Sequence, residues 1–303
     1  MEKIFITGAS GFIGQFLLPY FQNLDNFAMP TALAHQAVSN FPTVIKDLNT
    51  ITPDDLKGTT TLIHAAGKAH AQEVPWAILQ RENIDNTAKL AECAAIAGVR
   101  HFIFLSSVKV YGEKTQDGEK WRFDSPLNPL DDFARSKILA EEKLLGFQNQ
   151  MRISILRLPL CYARHPKANF AALLKLVQKG VPLPFASWTH NRRSFLYLGN
   201  LADFLKHLIK TKQESGVYLL SDDEDLSTAV LVSKLGKAVH RPVRLFTFPT
   251  AFTQMAASWA GQVKRMSLLY DSQSLDIHQT KRVFSWAPPF SVDAAFAQSF
   301  SIL

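Results

Sequence analysis

The chain has 303 residues, 47% of them hydrophobic, which is enough apolar material for one large core or two smaller ones. This composition excludes a disordered or fibrous chain, and the basic residues behind the net charge of +7 are too scattered for a nucleic-acid-binding surface. The two cysteines, Cys93 and Cys161, lie in apolar stretches, so no disulfide framework is predicted. With no leader pattern and no run of about 18 apolar residues, we expect a cytoplasmic protein that does not enter a membrane.

A glycine-rich turn follows the first predicted strand, which covers Ile4 to Thr7. Gly8 permits a tight turn, Gly11 lets backbone N–H groups approach a pyrophosphate, and Gly14 lets the next helix pack closely on the strand. That helix is predicted to continue to Leu24, and its apolar residues recur at helical spacing. The pattern predicts a dinucleotide-binding turn, and the alternative is a glycine-rich connection without a ligand. The candidate contacts are Gly8, Ser10, Gly11, Phe12, Ile13 and Gly14.

Strand and helix patterns then alternate along the first half of the chain. Further strands are predicted at 32–34, 44–46, 61–64, 102–106 and 153–157, and helices at 75–97, 132–147 and 168–179. This alternation predicts an α/β fold with a doubly wound parallel sheet of the Rossmann type. We place this domain at 1–158, with a returning segment near 192–222, and a second, smaller α/β lobe at 159–303.

Ligands of such sheets bind at the carboxyl ends of the strands. His35 follows the second strand. An acidic residue at this position would hold the ribose of NAD, and a basic residue would hold the 2′-phosphate of NADP. A histidine does not distinguish NAD from NADP, and its alternative role is that of a solvent-facing loop residue. Asp47 and Leu48 follow the third strand, where they would either contact an adenine or form an ordinary turn. The small residues Ala65, Ala66 and Gly67 follow the fourth strand. Their size would let a ligand contact the backbone there, and the alternative is a closely packed turn without a ligand.

The fifth strand ends in Ser106-Ser107, followed by Val108-Lys109-Val110-Tyr111-Gly112, and the next helix carries Phe133-Ala134-Arg135-Ser136-Lys137. With Asn83, the segments 191–195 and 199–201 and the closing 284–289, these residues make the chain resemble the extended short-chain dehydrogenases/reductases. Within them it resembles the NAD-dependent epimerase/dehydratase family, which acts on nucleotide sugars. In that family a serine or threonine follows the fifth strand and Tyr-x-x-x-Lys lies on the next helix, where a spacing of four puts both side chains on one face.

The resemblance implies a role for each matching position. Ser107 would hydrogen-bond the reacting sugar oxygen and Lys137 would hold the nicotinamide ribose, with Asn83, Ser106 and Leu158 also at the cofactor. The 159–303 lobe would bind the nucleotide sugar. Substrate contacts would come from Ser107, Lys109, Tyr111, Asn169, Arg192 and Arg193, the arginines gripping a diphosphate. Two adjacent arginines otherwise form a solvated edge, and Asn169 near a helix start is otherwise a cap. No metal site is predicted.

One position departs from the family pattern. Phe133 stands where the family has its catalytic tyrosine, and phenylalanine cannot exchange a proton. Three explanations remain: an introduced Tyr-to-Phe substitution, another acid, or a protein that binds without catalysing. The nearest ionisable neighbours are Tyr111 and Asp132, and we expect Asp132 to be the N-cap of the following helix instead.

The resemblance is strongest to bacterial surface-polysaccharide enzymes that move hydride at carbon 4 of a UDP-hexose, using NAD or NADP. A reductase of UDP-4-keto-6-deoxy-N-acetylhexosamines is favoured over a 4-epimerase that retains its NAD.

Members of the family also form dimers by pairing their two long helices. Small residues in these helices would permit that close approach: Ala88, Ala91, Ala94, Ala95 and Ala140. Packing within one subunit would leave the same pattern of alanines. Residues 246–269 mix aromatic and basic residues, as in a helix that packs between lobes or lies on a membrane surface.

Overall fold

The computed structural model describes residues 1–68, 74–116, 118–166, 168–211, 215–247 and 269–301. The seven strands of its main sheet are β1 (Ile4–Thr7), β2 (Thr31–Ala34), β3 (Thr43–Ile45), β4 (Thr61–His64), β5 (His101–Ser107), β6 (Arg152–Leu158) and β9 (Gly216–Leu219). They are all parallel, in the order β3-β2-β1-β4-β5-β6-β9. A second sheet pairs β7 (Leu160–Tyr162) with β8 (Phe195–Tyr197), also in parallel.

The helices alternate with the strands. In chain order they are α1 (Phe12–Gln22), α2 (Trp76–Leu79), α3 (Asn86–Ile96), α4 (Asp132–Leu145), α5 (Ala168–Gln178), α6 (Leu198–Lys210), α7 (Thr228–Ala238), α8 (His278–Phe284) and α9 (Val292–Phe300). The predicted α/β fold with a doubly wound parallel sheet is confirmed, because strand order reverses at β1 and β4 and helices cover both faces. None of the described helices is both long and apolar enough to cross a membrane.

Buried side chains form a separate apolar core on each face of the main sheet. Ile4 and Ile6 belong to one core and Phe5 to the other, because successive strand residues point to opposite faces. The first core continues without interruption into the segment predicted as the second lobe, where Tyr162, Phe170 and other rings pack together. This segment therefore shares its apolar packing with one face of the main sheet.

The strand registers bring the functional ends of the strands to one edge. Thr7 of β1 is paired with His64 of β4, and Ser107 of β5 is paired with Leu158 of β6. The turns after β1, β4, β5 and β6 consequently open onto the same side of the sheet. The segment near 192–222 contributes to both sheets, through β8 and β9.

Two helix predictions need correction. The predicted helix at 75–97 is α2 and α3 joined by a π-helical stretch, Gln80–Asp85, which contains Asn83. The N-cap of α4 is Asp131, whose side chain accepts a hydrogen bond from the backbone N–H of Ala134 at 2.7 Å. The prediction of Asp132 as the cap was wrong, because Asp132 is already the first helical residue and Asp131 has the extended backbone that a cap requires.

Candidate active site

Two cavities meet along the carboxyl edge of the main sheet. We call the larger the central cavity: it encloses about 480 Å³ between the glycine-rich turn, the ends of β4, β5 and β6, and the start of α4. The smaller, the edge cavity, encloses about 110 Å³ beside the ends of β2 and β3. Gly8, Ala66, Gly67 and Lys68 line both, so the two form one continuous cleft across the switch point of the sheet.

The glycine-rich turn is built for close approach of backbone. Gly8 has φ of +66°, and a Cβ there would lie 2.6 Å from the backbone nitrogen of Ala66. A Cβ on Gly14 would lie 2.4 Å from the carbonyl oxygen of Gly8. The N-cap of α1 is Gly11, and no side chain caps this helix end. The first backbone N–H groups of α1 are thus left for an anion, which is the usual arrangement for a dinucleotide pyrophosphate.

The edge cavity carries the residues predicted after β2 and β3. His35, Asp47 and Leu48 line it together with Ser10, and the His35 Nδ1 lies 3.1 Å from an Asp47 carboxylate oxygen. Lys46 also lines this cavity, but its ammonium is held by Asp55 at 2.8 Å. The edge cavity therefore has both basic and acidic side chains in its lining, and the Asp47 carboxylate lies at the end of β3.

A buried chain of hydrogen bonds supports the turn after β4. The Ala66 N–H donates to the Thr7 hydroxyl at 3.3 Å. The Thr7 hydroxyl lies 2.6 Å from His64 Nδ1, and His64 Nε2 lies 2.9 Å from the Thr87 hydroxyl. Because Thr87 donates its own hydrogen to the Asn83 carbonyl at 2.7 Å, it accepts from His64, which assigns the proton to Nε2. Burial lowers the pKa of His64 to about 3, so the ring stays neutral.

Asn83 lies behind the cleft and lines neither cavity. Its side-chain oxygen accepts from the Lys68 N–H at 2.8 Å, and its amide donates to the Lys68 carbonyl and to Ser136 at 3.2 and 2.9 Å. The π-helical turn places this side chain between the turn after β4 and helix α4, a distortion that often marks functional sites.

The central cavity brings together the three residues that matched the catalytic positions. Ser107, Phe133 and Lys137 all line it, with Ser106 and Leu158 on the same wall. The Lys137 ammonium donates to the Leu105 carbonyl at 3.1 Å and lies 4.5 Å from the centre of the Phe104 ring. Burial lowers the pKa of Lys137 to about 8, against the opposing pull of Glu141.

Behind this wall lies an ion pair that the sequence analysis missed. Arg157 Nη2 donates to Glu141 at 2.6 Å, and both side chains are almost completely buried. Ser106 donates its hydroxyl hydrogen to the same carboxylate, and Arg157 also donates to the Tyr111 hydroxyl at 2.7 Å. Two signals were available in the sequence: Glu141 stands one helical turn after Lys137, and Arg157 stands between two leucines of a strand.

The predicted substrate residues are more dispersed. Tyr111 lines a third cavity of about 910 Å³, which we call the lobe cavity, between the loop after β5 and residues 187–191 and 270–272 of the second lobe. Asn191 lines it too, and also lines a recess of about 30 Å³ beside α5 that includes Arg193. Lys109 is held by Glu113 and Asp131 at 3.0 and 2.9 Å.

The two arginines have different environments. Arg192 is exposed and donates to the carbonyls of Thr189 and Asn191, at 2.6 and 2.9 Å. Arg193 is buried, and its described hydrogen bonds go to the Asp271 carbonyl and the Gln273 side chain, at 3.5 and 3.2 Å. Burial lowers its pKa to about 10. Asn169 falls in the first turn of α5, with its side chain outside the described part, and residues 248–268 of the predicted aromatic and basic segment lie outside it as well.

Comparison with known proteins agrees with this geometry. The model of the NAD dependent epimerase/dehydratase family matches residues 4–220. A protein from Vibrio cholerae named UDP-glucose 4-epimerase is 32% identical over 98% of this chain and 94% of its own length.

Solved structures share the fold. UDP-N-acetylglucosamine 4-epimerase from Bacillus cereus superposes with a TM-score of 0.81 at 16% identity, covering 98% of each chain. UDP-glucuronic acid 4-epimerase from the same organism, in complex with NAD, has a TM-score of 0.79 at 20% identity over 99% of this chain and 95% of that one. The resemblance inferred from the sequence motifs is confirmed: the chain belongs to the NAD-dependent epimerase/dehydratase family of nucleotide-sugar enzymes.

Proposed function

We propose that this protein binds NAD in the cleft formed by the central and edge cavities, binds a UDP-hexose beside it, and moves hydride at carbon 4 of the sugar. The observation that carries the proposal is the meeting of the uncapped start of α1 with Ser107 and Lys137 around one cavity. The family membership and the Vibrio cholerae relative, named as a UDP-glucose 4-epimerase, support the same chemistry.

The residues present fit a nicotinamide dinucleotide. When bound, the cofactor supplies or takes up a hydride at its nicotinamide ring. Backbone N–H groups at the start of α1 would hold the pyrophosphate, and Lys137 the nicotinamide ribose. The Asp47 carboxylate would accept a hydrogen bond from the adenosine ribose of NAD. The 2′-phosphate of NADP would instead meet this negative charge, and the nearby Lys46 ammonium is already held by Asp55. These charges favour NAD over NADP.

The lobe cavity and the recess beside Arg193 are the proposed nucleotide-sugar site. At about 910 Å³ the lobe cavity is in the size range of small-molecule sites, and Trp188 and Tyr270 give it aromatic surface. Arg193 is buried at the adjoining recess, where Asp271 and Glu113 raise its pKa against the effect of burial, and its guanidinium has the fork geometry that pairs with diphosphate oxygens. The exposed Arg192 is the weaker candidate.

Two reactions at carbon 4 fit this site. We favour reduction of a UDP-4-keto-6-deoxy-N-acetylhexosamine for surface polysaccharide, because reduction needs one proton delivered to the sugar oxygen. Epimerisation instead needs a base to remove a proton and an acid to return it, and Phe133 offers neither. The second candidate, a UDP-hexose 4-epimerase, is favoured by the name of the Vibrio cholerae relative.

The dinucleotide that remains on the purified protein separates these candidates. An epimerase regenerates its cofactor in each turnover, so tightly retained NAD would support epimerisation. A reductase exchanges its cofactor, so weak and reversible binding of NADH, followed by its consumption with a 4-keto UDP-sugar, would support reduction. Absence of heat from either dinucleotide in calorimetry would reject the whole proposal.

A third candidate is a sensor that binds both ligands without catalysis, which Phe133 favours.

The oligomeric state and location are further proposals. We propose a homodimer through α3 and α4, although Ala91, Ala94 and Ala140 are fully buried within the subunit and so are explained by internal packing. We also propose a cytoplasmic location, which the free thiols of Cys93 and Cys161 support.

A further inference from the structure

The ionisable side chains that line the central cavity are few. Among the described residues they are Lys68, Lys137 and Cys161, with no carboxylate and no phenol. Burial raises the pKa of the Cys161 thiol to about 12, which makes it a poor proton donor near neutral pH. Lys68 lies on the exposed rim. Lys137 is therefore the acid placed deepest beside Ser107 and Phe133.

The surroundings of Lys137 leave part of its ammonium available. Its residue surface is 7% exposed, and its one described hydrogen bond goes to the Leu105 carbonyl at 3.1 Å. The nitrogen lies 6.0 Å from the centre of the Phe133 ring, on which the family tyrosine would carry its hydroxyl. An ammonium has three hydrogens, so two are left for ligand atoms in the described part of the cavity.

The charged groups around Lys137 come from two neighbouring elements. Glu141 stands one turn further along α4 and raises the pKa of Lys137, but its carboxylate is already neutralised by Arg157. His64 at the end of β4 is neutral, since burial and the nearby Lys137 both lower its pKa, to about 3. Burial thus outweighs attraction, and the pKa of Lys137 falls from 10.5 to about 8, close to the range in which a general acid works best.

Resting on the proposed function, we infer that Lys137 is the catalytic proton donor of this protein, delivering a proton to the oxygen at carbon 4 of a 4-keto sugar held by Ser107. A reduced dinucleotide, when bound, would supply the hydride for the new C–H bond at carbon 4, and the π pair of the carbonyl would move onto oxygen. That oxygen takes a proton from the Lys137 ammonium, directly or across one water. The resulting amine is reprotonated by solvent, so the ketone is reduced and the dinucleotide oxidised.

A proton donor at Lys137 gives the rates of reduction and oxidation opposite pH dependences. Reduction uses the ammonium form, which dominates below pH 8, so its rate should be level there and fall about tenfold per unit above. Oxidation of a 4-hydroxy sugar uses the amine form, so its rate should rise about tenfold per unit up to pH 8. The two pH profiles are mirror images around one ionisation.

Two substitutions of Lys137 separate proton donation from charge. Lys137→Arg keeps a cation for the ribose but cannot release its proton, so reduction should slow by about 10²-fold or more and lose its fall above pH 8. Lys137→Met should in addition weaken NADH binding, measured by nicotinamide fluorescence. Lys143→Met, on an exposed position of the same helix, is the control and should leave the profile unchanged.

A measurement without turnover tests the same ionisation. Lysine side chains carrying ¹³C-dimethyl labels give separate NMR signals, and one signal that titrates near pH 8 should be missing in Lys137→Arg. If that variant keeps the parent rate and profile, or if no lysine titrates below pH 9, the inference is overturned. Failure of every variant, and of Phe133→Tyr, to bind NADH would instead reject the proposed function.

Discussion

Replacing Glu141 by glutamine should destabilise this protein severely although the side chain keeps its shape. The Glu141 and Arg157 side chains are 5% and 7% exposed, and Arg157 donates to the carboxylate through Nη2 at 2.6 Å and through Nε at 3.2 Å to both oxygens. Glu141→Gln would leave the guanidinium charge buried without compensation. Removing one partner of such a pair costs about 3–5 kcal/mol, a large part of the roughly 5–15 kcal/mol that stabilises a typical domain.

The assay is urea unfolding of four proteins: the parent, Glu141→Gln, Arg157→Met, and the double variant Glu141→Leu with Arg157→Met. We expect each single change to cost several kcal/mol and the apolar double variant to recover most of it, because neither charge is then left buried alone. The control is Lys281→Ala, which breaks an exposed pair with Asp223 and should cost under about 1 kcal/mol. A Glu141→Gln variant no less stable than this control would show that the buried charge of Arg157 does not depend on Glu141.

Three further predictions concern the turn, a helix cap and the assembly. Gly8→Ala should abolish NADH binding in fluorescence titration, because its Cβ would meet backbone at 2.6 Å, whereas Gly180→Ala, with a similar φ of +67° but open space, should bind normally. Asp131→Ala should cost at least about 1 kcal/mol in urea unfolding, through loss of the cap of α4 and of the pair with Lys109, and Asp132→Ala less. Light scattering should give twice the chain mass of 33.9 kDa, and a monomer at all concentrations would reject the dimer.

The sequence was sufficient for the sheet and the cleft because their signals are local. The β4 prediction at 61–64 agrees with the observed strand, and the glycine spacing after β1 identifies a turn whose close contacts tolerate no Cβ at Gly8 or Gly14. Strand ends of a parallel sheet share an edge, so residues predicted after β2, β3 and β4 could be assigned to one cleft. All the predicted cofactor residues except Asn83 line it.

Features that depend on contacts between distant segments could not be predicted in the same way. Helical periodicity continues through 75–97, so nothing in the sequence indicates the π-helical turn that places Asn83 against Lys68 and Ser136. Glu141 and Arg157 are 16 residues apart on different elements, and their pairing depends on how α4 packs against β6. The cap of α4 was predicted one residue too late, at Asp132, because the extended backbone that makes Asp131 the cap cannot be read from two consecutive aspartates.

Phe133→Tyr tests whether this cleft holds a nicotinamide beside carbon 4 of a UDP-sugar. The variant adds a phenol on the helical face that carries Lys137, beside Ser107 in the central cavity. With NADH and a UDP-4-keto-6-deoxy-N-acetylhexosamine, it should consume NADH faster than the Phe133 chain. The gain should be smaller than the about 10²- to 10⁴-fold that a general acid contributes where none is present, because Lys137 already supplies a proton. A variant that binds both ligands but shows no turnover with any 4-keto or 4-hydroxy UDP-hexose would show that the cleft does not carry out hydride transfer at carbon 4.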